Sequence, residues 1–186
     1  MREERPAEGA SQPGELENLM RRYQQSDGEA AASLVNQVSP RIYSFYFAQT
    51  RKRPLAEDLL QEFWLRIHDA RRTYRPCEPV LPWMYAIARR VRIDQYRRHS
   101  RSSEHEVQTE QLPETAAPES RSGSSPDITD LLATLPEAQR EVILLMKVSG
   151  LSLQEVARAT GTSVGAVKQK AHRAYERIRR LFGNDT

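Results

Sequence analysis

A long stretch without large apolar side chains divides this chain and limits what it can fold into. Residues 99–126 are rich in Ser, Glu, Pro and Thr and offer almost nothing for a core to bury. On both sides, apolar residues recur at helical spacing, and the alternation typical of strands is essentially missing. The sequence therefore predicts an all-α protein with two small helical domains, over 15–98 and 127–186, joined by a flexible acidic linker. Residues 1–14 have the composition of a disordered tail.

Positive charge is concentrated in two segments that lie far apart in the sequence. The formal net charge of the 186 residues is only +3, but Arg89–Arg101 and Lys168–Arg180 each contain six basic residues against one acidic residue. Two such segments indicate two contacts with a polyanion such as nucleic acid. The alternative is that both are solvated faces of helices.

The second basic segment follows a glycine turn between two helices. Ser152 with Glu155 predicts a capping box, Gly161 predicts a left-handed helix end, and Ser163 is expected to cap the next helix. That helix has an apolar seam formed by Val164, Val167, Ala171, Ala174, Ile178 and Leu181. This arrangement is typical of a helix-turn-helix, and the alternative is an amphipathic helix with a solvated basic face.

The candidate DNA-binding residues are Ser163, Gly165, Lys168, Gln169, Lys170, His172, Arg173 and Arg177. We expect Gln169, Lys168 and Arg173 to contact bases, and we expect Lys170, Arg177 and Arg179 to contact phosphates.

The first domain is predicted to contain about four helices, separated at Asp27-Gly28, Pro40 and Pro54. An upstream partner helix for the second domain is expected between Pro136 and Gly150.

In the first domain, the helix from Leu55 should bury Leu59, Leu60, Phe63, Trp64 and Ile67. Its outer face should carry Asp58, Gln61, Glu62 and Leu65. Such a face can be plain solvated surface or a docking surface.

The helix from Pro82 combines basic and aromatic residues. It is expected to bury Met84, Ile87, Ala88 and Val91 and to present Tyr85, Arg89, Arg92, Ile93, Tyr96 and Arg97. Rings that stack on bases and arginines that hold phosphates suit a single nucleic-acid strand. Alternatively, the tyrosines pack on a neighbouring helix. The preceding loop, "TYRPCEPVLP", is stiffened by three prolines.

Two blocks of sequence resemble the sigma-70 family of bacterial RNA polymerase sigma factors, in its extracytoplasmic-function group. "PLAEDLLQEFWLRIHDARRTYRP" followed by "LPWMYAIARRVRIDQYRRHSR" resembles region 2. The run from "LPEAQREVILL" through "GLSLQEVARATGTSVGAVKQKAHRAYERIR" resembles region 4. Arg90 stands where the family often has Asn, and "AVKQKAHRAY" stands where it often has "TVKSRLHRAR".

The resemblance implies a role for each face. The face with Asp58, Gln61, Glu62 and Leu65 would dock on the β′ clamp of core RNA polymerase. The helix from Pro82 would bind the minus-ten promoter element, and the proline loop would capture a base flipped from it. The helix-turn-helix would read the minus-thirty-five element. The acidic linker would thread the channel that RNA later occupies, or act as a simple tether.

The expected partners by resemblance are core RNA polymerase through its β and β′ subunits, promoter DNA, and an anti-sigma factor that is often membrane-bound.

No cofactor, metal or small-molecule substrate is expected, because the sequence lacks metal-ligand spacing, a Gly-rich phosphate loop and any triad context. An enzyme is accordingly not expected. Cys77, the only cysteine, permits no internal disulfide, and the absence of long apolar runs favours a cytoplasmic protein. The remaining alternative is a helix-turn-helix regulator that acts without polymerase.

Overall fold

The computed structural model describes residues 14–106 and 128–182, with side chains described for 14–99 and 131–180. Within these ranges the chain forms helices and turns and no strand, which confirms the all-α prediction. The predicted tail, apart from Gly14, and the linker beyond Glu106 lie outside the described residues. The helices are α1 (Glu15–Gln24), α2 (Gly28–Thr50), α3 (Arg53–Ala70), α4 (Val80–Glu106), α5 (Ile128–Ala133), α6 (Glu137–Lys147), α7 (Leu153–Thr160) and α8 (Val164–Phe182).

The first domain packs α1 to α4 around one apolar core. The expected core positions of α3 and α4 are largely confirmed: Leu59, Phe63, Ile67, Met84, Ala88 and Val91 are buried, and Leu60, Trp64 and Ile87 are half-buried. From α2 the core receives Leu34, Val38, Ile42, Phe45 and Tyr46. The buried Tyr46 hydroxyl donates a 3.0 Å hydrogen bond to the Ala88 carbonyl, which ties α2 to α4.

Pro40 does not separate two helices, so that prediction was wrong. It lies inside α2, which continues for ten residues beyond it to Thr50. The apolar residues on both sides of the proline, Val38 and Ile42, are fully buried against the same core. The packing of that continuous face compensates for the backbone hydrogen bond that proline cannot make.

Helix α4 is longer than predicted. It continues to Glu106, whereas the linker was expected to start at residue 99. The segment "HSRSSEHE" is polar all round, so it carries no apolar periodicity that would reveal a helix. Once the buried part of α4 has formed, each added residue gains a backbone hydrogen bond without a new nucleation cost.

The second domain consists of α5 to α8, and its buried apolar residues belong to the same continuous core cluster as those of the first domain. Helix α6 begins directly after Pro136, as expected, and contributes the buried Val142, Leu144 and Leu145. Helix α8 packs against both α6 and α7. The two domains also contact each other, since α4 packs on α7 and α2 packs on α6. None of the helices in the described ranges is long and apolar enough to cross a membrane.

Candidate nucleic-acid and polymerase interfaces

The helix-turn-helix has the local geometry that its sequence predicts. The Ser152 amide donates to Glu155 Oε2 at 2.8 Å, and the Glu155 amide donates to Ser152 Oγ at 3.3 Å, so the capping box is present. Helix α7 ends at Gly161, whose φ of 64° lies in the left-handed region that favours glycine. Ser163 Oγ then accepts a 3.1 Å hydrogen bond from the Ala166 amide and caps α8. These contacts fix the angle at which α8 leaves the turn.

Removing the capping box should destabilise this domain. We expect Ser152→Ala to lower the free energy of unfolding by about 1 kcal/mol, because an amide at the start of α7 loses its side-chain acceptor. Ser152→Asp keeps an acceptor and should change the unfolding free energy much less. Chemical denaturation followed by circular dichroism measures both variants. Equal losses in the two would contradict the capping role.

Helix α8 has the two-sided character that was predicted. Its seam residues Val167, Ala171 and Ala174 are buried, Val164 and Ile178 are half-buried, and the side chain of Leu181 lies outside the described residues. The opposite side exposes Ser163, Gly165, Lys168, Gln169, His172, Arg173 and Arg177, with Lys170 half-buried. A basic surface is thus held in place by an apolar seam. Contact of these residues with DNA stays a prediction.

Gly165 has no evident role within the chain. A Cβ atom added there would meet only Ser163 Oγ, at an ordinary contact distance of 3.8 Å. Glycine inside a helix costs roughly 0.5–1 kcal/mol relative to alanine. The missing side chain leaves the backbone at the start of α8 open to solvent.

The outer face of α3 is exposed at three of its four predicted positions. Asp58 and Gln61 face solvent, and Leu65 is 63% exposed. Glu62 is partly engaged within the chain, since its Oε1 lies 2.9 Å from Arg66 Nε and 3.8 Å from Arg98 Nη2. The face therefore combines an exposed apolar side chain with acidic and amide groups.

Tyr85 is not on the surface, so its expected display to solvent was wrong. The side chain is fully buried, and its ring meets Phe45 of α2 edge to face, with 5.4 Å between centroids. Burial raises the pKa of the Tyr85 phenol. The structure shows the alternative that the sequence left open, which was packing on a neighbouring helix. Tyr96, by contrast, is 73% exposed, and Arg97 is exposed as well.

Arg89 and Arg92 of α4 are engaged by the second domain. Arg89 Nε lies 3.0 Å from both carboxylate oxygens of Glu141, a residue of α6. Arg92 Nη2 lies 2.6 Å from Glu137 Oε1 and 3.8 Å from Glu141 Oε1. The Arg92 side chain is 15% exposed and that of Glu141 only 7%. Ile93 is half-buried.

Sequence reasoning missed Glu137 and Glu141 as residues of this site. The available signal was weak: two carboxylates four residues apart, on a helix treated only as a scaffold. Glu141 is itself buried, so its carboxylate needs a cationic partner.

The proline loop before α4 is anchored at several points. The buried Tyr74 packs beside Trp83, with ring centroids 5.3 Å apart, and its hydroxyl donates to the Glu78 carbonyl. Burial is the main cause that raises the Tyr74 pKa to about 12. The Val80 amide donates to Glu17 Oε1 at 3.0 Å, which ties the loop to α1.

A cleft of about 400 Å³ lies beside this loop, lined by Glu78, Pro79, Pro82, Trp83, Ala86 and Arg158. Arg158 belongs to α7, so both domains contribute to the cleft. Cys77 is exposed in the same loop. Among the described residues, no group of His, Cys, Asp and Glu side chains could hold a metal ion.

These features define a two-domain helical protein that presents a helix-turn-helix surface. Matches to known protein families give the same class of protein. Residues 34–102 match the family model for sigma-70 region 2, and residues 126–178 match the one for sigma-70 region 4. The chain is 34% identical to the RNA polymerase sigma factor CarQ of Myxococcus xanthus, over 88% of this chain and 95% of CarQ. It is 35% identical to the ECF RNA polymerase sigma factor SigF of Caulobacter vibrioides, over 68% of this chain and 73% of SigF.

The chain therefore belongs to the extracytoplasmic-function (ECF) group of the sigma-70 family of RNA polymerase sigma factors. Its fold is also similar to that of the sigma factor RpoE, solved in complex with the anti-sigma factor NepR from Bartonella quintana. The TM-score is 0.67 at 24% identity, covering 83% of this chain and 98% of RpoE.

Proposed function

We propose that this chain binds core RNA polymerase and directs it to specific promoters. The observation that carries the proposal is the presence of two separate exposed surfaces on one chain. One is the basic side of α8, and the other is the α3 face with the exposed Leu65. A helix-turn-helix regulator that acted without polymerase would use the first surface and would have no need for the second.

The α3 surface fits a protein partner. An apolar side chain with polar groups around it reproduces, on a small scale, the apolar centre and polar rim of a protein interface. We assign this face to the β′ clamp, with Asp58 and Gln61 as polar contacts and Leu65 as the apolar contact. Glu62 contributes less directly because Arg66 and Arg98 already lie near its carboxylate.

The direct experiment is co-migration with core polymerase. The purified chain is mixed with core enzyme, and the mixture is separated by size-exclusion chromatography. We expect the chain to elute with the polymerase. Elution only at the position of the isolated chain would favour the regulator that acts without polymerase.

We further propose that the exposed side of α8 reads the minus-thirty-five element and that α4 with the proline loop contacts the minus-ten strand. By analogy with the RpoE–NepR complex, an anti-sigma factor is a proposed partner. The chain would act by binding rather than by catalysis, in the cytoplasm where transcription takes place. The linker as an element of the polymerase channel also stays a proposal.

Alanine substitutions should distinguish the α8 residues that contact bases from those that contact phosphates. Gln169→Ala and Arg173→Ala are each expected to cost roughly 1–3 kcal/mol at particular minus-thirty-five positions, and so to change the ranking of promoter variants. Arg177→Ala should weaken all variants about equally and reduce the salt slope by about one counterion. Arg177 is a cleaner probe than Arg179, whose guanidinium is paired with Glu176.

The measurement is binding of the full chain to a panel of minus-thirty-five duplexes at several salt concentrations. If Gln169→Ala weakened every duplex equally while Arg177→Ala changed the ranking, the proposed orientation of α8 on DNA would be wrong.

A further inference from the structure

A second cleft, of about 520 Å³, lies between the end of α3 and the middle of α4. Its lining consists of Arg66, Asp69, Ala70, Ile87, Arg90 and Val91. Ala70 is the last residue of α3, so the proline loop follows within a few residues of the cleft. Sites for small molecules in proteins measure roughly 300–1,000 Å³, so this cleft is large enough for a nucleoside.

Opposite charges line this cleft without pairing. Asp69 and Arg90 are exposed, and within the described part of the chain neither forms a hydrogen bond or an ion pair. Arg66 differs, because its Nε lies 2.9 Å from Glu62 Oε1. A carboxylate and a guanidinium that line one cleft but do not close on each other leave a space between them. That space has acceptors from Asp69 and donors from Arg90.

Apolar side chains supply the rest of the lining. Val91 is buried, and Ala70 and Ile87 are half-buried. An apolar wall next to hydrogen-bonding groups suits an unstacked nucleobase, because the base packs through its ring face and is recognised through its polar edge. The cleft therefore has the composition of a site for a base.

The site continues along one side of α4. Trp83, Arg90 and Arg97 follow one another at intervals of seven residues, so helical geometry places them on the same side. Arg97 is exposed and is one of the residues predicted to contact the minus-ten strand. Arg89 and Arg92 already have carboxylate partners in α6. The side with Arg90 thus carries cations that can meet the phosphates next to a bound base.

Guanine is the base whose edges match these groups. Its Watson–Crick edge has two neighbouring donors, N1–H and the N2 amino group, and one carboxylate can accept from both. Its O6 and N7 are acceptors that arginine binds with two hydrogen bonds. Adenine, cytosine and thymine all place an acceptor beside the donor on their Watson–Crick edge. That acceptor would face the carboxylate of Asp69 and be repelled by it.

We propose that this cleft binds one unstacked guanine of the minus-ten strand, with Asp69 accepting from N1–H and the N2 amino group and Arg90 donating to O6 and N7. Arg66 and Arg97 contact the neighbouring phosphates. The inference rests on the proposed function, promoter recognition with core polymerase, and adds which base is recognised and by which residues. Arg90, where the family often has Asn, would then determine the promoter preference at that base.

The experiment uses holoenzyme reconstituted from core polymerase and the full chain. The probes are fluorescent non-template strands from a mapped start site, in which each minus-ten position carries each of the four bases in turn. We expect one position at which dG binds better than the other bases by about tenfold or more, as for one bidentate base contact. Asp69→Asn and Arg90→Ala should each remove the preference at that position alone. Glu29→Gln and Arg21→Ala, matched charge changes at exposed positions outside the cleft, should keep it.

Two base analogues then assign each side chain to an edge of the base. Deoxyinosine lacks the N2 amino group, and 7-deazadeoxyguanosine lacks the N7 acceptor. Deoxyinosine should weaken binding about tenfold with the parent chain and with Arg90→Ala, as for one hydrogen bond to a charged group, but very little with Asp69→Asn. The 7-deaza analogue should weaken binding with the parent chain and with Asp69→Asn, but very little with Arg90→Ala.

The outcomes separate this site from the proposed function. Both residues are exposed, so circular dichroism should show unchanged helical content in each variant. A holoenzyme that starts at specific promoters but shows no dG preference, or one that survives both variants, would overturn the guanine site alone. Analogue effects that are equal in all variants would overturn the roles of Asp69 and Arg90. A holoenzyme that binds no strand better than core polymerase does would overturn the proposed function and the guanine site with it.

Discussion

Replacing Asp58 by Arg together with Gln61 by Ala is expected to abolish binding to core polymerase. Both side chains are exposed on the outer face of α3, so the substitutions change the surface and leave the buried Leu59 and Phe63 in place. The arginine reverses the charge that the partner surface would meet, and the alanine removes a polar contact. Truncating one partner of a buried, hydrogen-bonded charge pair costs about 2–5 kcal/mol at protein interfaces, so affinity should fall on the order of a hundredfold or more if Asp58 makes such a pair with the polymerase.

A fluorescence titration with core enzyme measures this loss. Glu29→Arg, a charge reversal at an exposed position of α2, serves as the control and should bind core enzyme like the parent chain. Circular dichroism should show unchanged helical content in all variants. Parent-like affinity of the double variant would remove α3 from the polymerase interface.

The second large effect is expected from Tyr85. Its ring is fully buried against Phe45, so Tyr85→Ala would leave a cavity and lower the free energy of unfolding by about 3–5 kcal/mol. Tyr85→Phe keeps the buried ring and removes only the phenol hydroxyl, so it should change the unfolding free energy by no more than about 1 kcal/mol. Chemical denaturation of the full chain measures both values.

Tyr96 supplies the contrast. It is 73% exposed, so Tyr96→Ala should change stability by no more than about 0.5 kcal/mol. If the ring stacks on a base of the minus-ten strand, the same change should weaken strand binding by about 1–3 kcal/mol. A stable Tyr85→Ala variant, or a strongly destabilised Tyr96→Ala variant, would contradict the burial that the structure assigns to these two tyrosines.

The sidedness of α3 and α8 could be predicted because each helix buries a single face within its own domain. Apolar residues such as Phe63 and Val167 then recur every three or four positions, and the opposite residues are exposed. Capping at Ser152 and the glycine end at Gly161 were predictable for a similar reason, since each depends on neighbours in the sequence.

The environment of α4 could not be predicted in that way. This helix is covered by its own domain on one side and by the second domain on another, which buries Tyr85 as well as the expected Met84. The Arg89–Glu141 pair joins residues 52 positions apart, and local periodicity carries no information on such a contact. Pro40 does not end α2 because a continuous buried face can outweigh a local helix-breaking preference.

The central claim is that this chain gives core RNA polymerase promoter specificity. The most direct measurement is transcription in vitro from genomic DNA of the source organism by core polymerase, with and without the purified chain, followed by mapping of transcript 5′ ends. The account predicts new start sites that depend on the chain and share one minus-ten and one minus-thirty-five sequence at fixed spacing. They should disappear with the Asp58→Arg and Gln61→Ala double variant. A chain that binds DNA but adds no start sites to those of core polymerase alone would contradict the account.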